Sequence, residues 1–163
     1  NNFNVHINLN WNKNDITKEI YDYDKNLLVF LNEYLYAKNK KNLKFDFAEN
    51  VNIEHIMPKS GRNIFTIRQD AGITDKEEFL SIVNKLGNKI LLEEDINKSI
   101  SNEWFKTKKQ NSINSKLGYK DSKYNIAAAL TSYSKDKWEK EDIEKATEEA
   151  VKRIVEFIFD SDN

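Results

Sequence analysis

Apolar residues recur at three- and four-residue steps between Asp15 and about Lys38, at Ile16, Ile20, Tyr23, Leu27, Phe30, Leu31, Tyr34 and Leu35, as on one face of a helix. The polar run AKNKKN then gives way to LKFDFAENVNIEHIMP, where Val51, Ile53 and the residues after them predict a short strand that Pro58 ends. Beyond the turn residues KSGRN, the segment TDKEEFLSIVNKLG opens with Thr74 three positions before Glu77. That is the spacing of a capping box, and it predicts a short helix ending at Gly87. NKILL reads as a second strand, and a polar stretch centred on Asn97 leads to NEWFKTKKQNSINSK, where Trp104 and Phe105 anchor a further helix. The order is strand, strand, helix. After the turn GYKDSKY, YNIAAALTSY is predicted helical. WEKEDIEKATEEAVKRIVEFIF then carries Trp138, Ile143, Ala146, Ala150, Ile154, Phe157 and Ile158 along one stripe, the pattern of a core-packing helix.

Composition narrows the class. With 163 residues and 39% hydrophobic content, the chain has apolar material for one ordinary core, so a single domain over 1–163 is the expectation. A charged fraction of 33% with one proline and four glycines describes a helix-rich chain with few sharp turns. No apolar run approaches a membrane span, and no secretory signal opens the sequence, so the expected location is cytoplasmic and no membrane partner is expected. The opening NNFNVHINLNWNKND reads as the cut end of a longer protein. With no cysteine, disulfides and paired thiolate zinc knuckles are excluded, and any metal must sit on oxygen or imidazole.

The net charge of −1 does not suggest a general polyanion binder, but charge is unevenly spread. Between Lys98 and Tyr124 seven lysines stand against two acids, whereas between Asp136 and Asp160 nine acids stand against five bases. The first stretch is a local basic patch. The second reads as a solvated helix face.

The string Ile53-Glu54-His55-Ile56-Met57-Pro58 puts an acid beside a histidine, and on a strand their side chains fall on opposite faces. Alone, such a pair is as readily an ordinary surface or core pair. Further on, Leu86-Gly87-Asn88-Lys89-Ile90-Leu91-Leu92 is followed by Asn97, nine positions after Asn88 and beyond a short strand. His6 has no partner pattern around it and reads as linker or packing.

In these four positions the sequence resembles the ββα-metal finger of HNH (His-Me finger) nucleases. There an acid-His pair on the first strand, an Asn on the second and an Asn or His near the helix converge on one divalent ion. More narrowly, IEHIMPK, LGNKILL and NKSISNEWFKTKK, followed by a Tyr and Ser before a helix with an early Trp, are similar to the carboxy-terminal nuclease domain of GmrSD-type modification-dependent restriction enzymes. The resemblance spans most of the chain. Lys59 stands where that family often has Gln, and Ala146, three positions after Ile143, stands where an Arg is expected.

What the resemblance implies is phosphodiester hydrolysis, which needs an activated water, neutralised phosphate charge and help for the departing oxygen. An imidazole is mostly neutral at physiological pH, so His55 suits the general base. Glu54 and Asn97 offer hard oxygen ligands for one Mg²⁺ or Mn²⁺. Asn88 matches the family position whose amide carbonyl would hold the other histidine nitrogen. Lys98, Lys108 and Lys109 are candidates to grip phosphates without reading bases, a solubilising role being the alternative for each. Asn102 is read as a brace for the loop, with helix capping as its alternative.

The expected fold is α+β and predominantly helical, a central ββα-metal finger from about 51 to 109 clasped by helical flanks at about 15–38 and 122–160. The expected function is metal-dependent nicking or cutting of DNA by the effector part of a restriction or phage-defence protein. In that family the domain follows an amino-terminal, nucleotide-dependent ParB-like domain, which is the implied partner besides DNA. The rival readings are an inactive finger serving as a docking module, and an RNase or toxin-like nuclease of the same fold.

Overall fold

A computed structural model describes residues 13–22, 26–40, 50–110 and 116–160. Its elements run α1 (Lys13–Asp22), α2 (Asn26–Asn39), β1 (Val51–His55), α3 (Ile64–Asp70), α4 (Lys76–Val83), β2 (Lys89–Glu93), α5 (Glu94–Ile100), α6 (Phe105–Gln110), α7 (Asn125–Leu130) and α8 (Lys140–Asp160). Single 3₁₀ turns at Leu86–Asn88 and Tyr119–Asp121 precede β2 and α7. The fold is α+β and mostly helical, with β1 and β2 forming a two-stranded antiparallel sheet. His6 lies outside the described residues.

The pairing sets His55 opposite Lys89 and Glu54 opposite Ile90. Ile90, Leu91 and Leu92 are all buried, so both faces of β2 are covered, as a two-stranded ribbon requires for stability. α5 follows β2 directly and packs on both strands, burying Ile96 and Ile100. β1, β2 and α5 therefore form the strand-strand-helix unit, with α3 and α4 inserted between the strands.

Several boundaries differ from the sequence reading. The stripe expected over 15–38 is divided between two helices, and the inward face of α2 is Leu28, Val29, Asn32, Glu33, Leu35 and Ala37, leaving Leu27 and Tyr34 exposed. Helix α3 was not anticipated. The N-cap of α4 is Asp75, whose carboxylate accepts from Glu78 N at 2.7 Å, instead of the Thr74–Glu77 box. That helix ends at Val83, and Gly87 belongs to the turn beyond it.

α8 packs against α1, α2, α4 and the 3₁₀ turn before β2. Its buried line is Ile143, Thr147, Ala150, Val151, Ile154 and Val155, while Phe157 is exposed. Where the helix meets the turn, Gly87 N donates to Thr147 Oγ1 at 2.9 Å, and a Cβ on Gly87 would stand 2.3 Å from Thr147 N. Only glycine permits so close an approach of two backbones. Among the described residues no helix is long and apolar enough to cross a membrane.

Candidate nuclease site

His55 is the last residue of β1 and is half-buried, with Nε2 shielded from solvent. The chain beyond it is pinned by Asn88, which is completely buried. Asn88 Oδ1 accepts from Met57 N at 2.8 Å and from Trp138 Nε1 at 3.2 Å. Its Nδ2 donates to Met57 O at 3.0 Å and Val83 O at 2.9 Å, and its backbone carbonyl accepts from Ile56 N at 2.9 Å. The side-chain amide thus has two donors and two acceptor bonds in use, the full complement of an asparagine. It acts on the backbone two residues after His55, whereas the resemblance implied a bond to the imidazole itself.

Glu54 faces the interior and is 5% exposed. Its Oε1 accepts two hydrogen bonds, one from Lys108 Nζ and one from Tyr119 OH at 3.1 Å. The Lys108 ammonium also donates to His55 O at 2.9 Å and Ile56 O at 3.2 Å. Burial pushes the Glu54 carboxyl up and the Lys108 ammonium down, while each charge supports the other. Burial and the neighbouring carboxylate hold Tyr119 well above the ordinary phenol range, so it remains a donor.

Asn97 lies on α5, partly exposed, its carbonyl accepting from Ser101 N at 2.9 Å. Ser101 then takes a φ of 46°, a left-handed conformation uncommon outside glycine, and the chain turns from α5 toward α6. Asn102 is exposed at this turn and lies against Gly61, where a Cβ would meet it at 2.7 Å. The contact joins the loop after Pro58 to the α5–α6 turn.

The predicted phosphate-gripping lysines divide. Lys98 is exposed and pairs with Glu94 at 2.6 Å. Lys108 is fully buried as described, and Lys109 is buried with its ammonium donating to Tyr133 O at 3.0 Å, Lys135 O at 2.8 Å and Asp136 Oδ1 at 3.2 Å. Neither Lys108 nor Lys109 presents a charge to a phosphate on the surface. The reason was present in the sequence: both stand three or four positions after the buried Phe105, on the same helix face. Tyr119 and the role of Trp138 left no local signal, since their partners lie 65 and 50 residues away. Trp138 also packs on Phe105, with ring centroids 5.5 Å apart.

The donor set suits a hard cation. Both hydrogen bonds to Glu54 fall on Oε1, leaving Oε2 outside the clamp, and Asn97 adds an amide oxygen on the helix that packs on β1. Among the described residues no group of three His, Cys, Asp or Glu side chains is placed to hold a metal ion.

No curated protein and no solved structure matches the chain. One family does, described as GmrSD restriction endonucleases, C-terminal domain, over residues 6–153, a span that includes β1, β2, α5, α6 and most of α8. The chain therefore belongs to the family of GmrSD restriction endonuclease C-terminal domains.

Proposed function

We propose that this chain is the DNA-cutting part of a restriction or phage-defence protein and that its site is a one-metal ββα-metal (HNH) finger. The observation that carries the reading is an acid-His pair ending the first strand of an antiparallel hairpin whose second strand runs straight into the helix bearing Asn97. Family membership supports the nuclease class.

In this reading His55 takes a proton from a water whose oxygen attacks the phosphorus as the bond to the leaving oxygen breaks. Glu54 and Asn97 would hold one Mg²⁺ or Mn²⁺, which would neutralise charge on the phosphate and the departing oxygen. Asn88 keeps the backbone after His55 in one conformation. Exposed cations for backbone phosphates are Lys59 and Arg62, on the loop that Asn102 touches, together with Lys98 on α5. Such contacts position DNA without reading sequence. Recognition of the target then belongs to a partner domain of the ParB-like, nucleotide-dependent kind, and the cell compartment is the cytoplasm.

The test is nicking of supercoiled plasmid by the purified protein in Mg²⁺ or Mn²⁺, with EDTA controls and with RNA and single-stranded DNA as competing substrates. His55→Ala is expected to lower the rate by about 10²–10⁴-fold, the range for losing a general base, and Asn97→Ala to abolish metal-dependent cutting, both with unchanged circular dichroism. Wild-type activity that survives either substitution sinks the assignment. Cutting confined to RNA sinks the substrate half of it.

A further inference from the structure

The nuclease reading gives work to Glu54 and His55 but leaves Lys108 and Tyr119 unused, although both are fully buried beside them. Burying an ammonium is unfavourable unless it is paired and hydrogen-bonded, and an apolar residue of similar volume often serves packing as well or better. The charge therefore calls for a reason other than stability.

Its geometry supplies one. From α6, more than fifty positions away in sequence, the Lys108 ammonium reaches three successive residues, bonding Glu54 Oε1, His55 O and Ile56 O. Three donors meet three acceptors, so the ammonium is saturated. Tyr119 adds a second bond to the same carboxylate oxygen at 3.1 Å. The turn bearing Tyr119 is itself tied to the end of β2, where Glu93 accepts from Ser122 Oγ and Lys123 N, each at 2.7 Å. The strand carrying Glu54 and His55 is thereby fixed from outside the unit of β1, β2 and α5.

We propose that Lys108 and Tyr119 are positioning residues for this site, clamping Glu54 by Oε1 so that Oε2 alone is offered to the divalent ion, while Lys108 also fixes the peptide of His55. The inference rests on the nuclease reading. Hydrogen-bonded partners of a metal-binding carboxylate orient it and tune its affinity, so their loss shows in metal binding and not only in stability.

The experiment compares wild type, Tyr119→Phe and Lys108→Met with Asp75→Ala, which removes the α4 N-cap and lowers stability on a different element. Calorimetric titration with Mn²⁺ in the absence of DNA, the Mn²⁺ concentration for half-maximal nicking, and thermal melting are measured on each. Tyr119→Phe is expected to weaken Mn²⁺ binding and raise the half-maximal concentration by about tenfold, with Asp75→Ala unchanged in both. If Lys108→Met fails to fold, Tyr119→Phe decides alone. An unchanged metal requirement in Tyr119→Phe, or an equal rise in Asp75→Ala, overturns the proposal while the nuclease stands. A wild type that neither binds Mn²⁺ nor nicks DNA removes the nuclease reading and this proposal together.

Discussion

Asn88 has no exposed surface, and its amide joins three parts of the chain, the Met57 peptide, the end of α4 at Val83 and the indole of Trp138. Its removal strands two N–H donors and two carbonyls in the interior. Each buried polar group left without a partner costs about 1–3 kcal/mol, and water entering the gap recovers some of it, so Asn88→Ala should lose roughly 3–5 kcal/mol in urea unfolding. Were the residue needed only to orient the His55 imidazole, the same substitution would lower activity and leave the unfolding midpoint in place. Glu33 offers a parallel case. It is fully buried on α2, and its carboxylate accepts from the backbone N–H groups of Asn125 and Ile126 at the start of α7, bonds that favour the charged form. Burial outweighs them and raises its pKa.

At the scale of elements, the seating of α8 decides whether the turn before β2 can form. A Cβ on Gly87 would meet Thr147 N at 2.3 Å and Ile143 O at 2.6 Å, both helix backbone atoms that cannot swing aside. Gly87→Ala should therefore lower stability by about 3 kcal/mol or more, the upper part of the range for overpacking. Gly72→Ala is the useful contrast, because Gly72 has open space around it and only its φ of 70° to oppose the change. There the loss should be about 1–2 kcal/mol, the steric cost of a left-handed residue. Thermal melts of the two variants separate close packing from backbone strain. Ala146 sits on the same helix, half-buried and lining a cleft of about 280 Å³ that Lys145 and Arg153 also line.

At the scale of the molecule, the buried apolar side chains among the described residues form one continuous cluster that takes in the hairpin, α5 and the helices on either side. Burial of this kind supplies the main favourable term in folding, unlike small zinc domains that unfold without metal. EDTA should consequently abolish nicking while shifting the melting temperature by less than about 2 °C, which for a chain of this size is under roughly 1 kcal/mol. A melting temperature that falls much further would make the ion structural. The charge distribution also looks different once folded. Lys108 and Lys109 leave the basic stretch for the interior, while Lys106 pairs with Asp136 at 3.6 Å across the boundary between the basic and acidic stretches.

The sequence by itself determined the fold class, the strand-strand-helix order, the family resemblance and the absence of thiolate chemistry. These are matters of local periodicity, residue type and short spacing, which any chain carries openly. The helical stripe of α8 was readable for the same reason, since its apolar positions repeat within one element. Tertiary structure alone decided how polar groups are used: Lys108 under β1, Glu33 on α7, Asn88 on the Met57 backbone, and the inward face of α2. A buried polar side chain is explained by its partner, and these partners lie 31 to 93 residues away. Periodicity reports which face of an element is apolar, but it carries no information about which distant donor meets a given acceptor once the faces close.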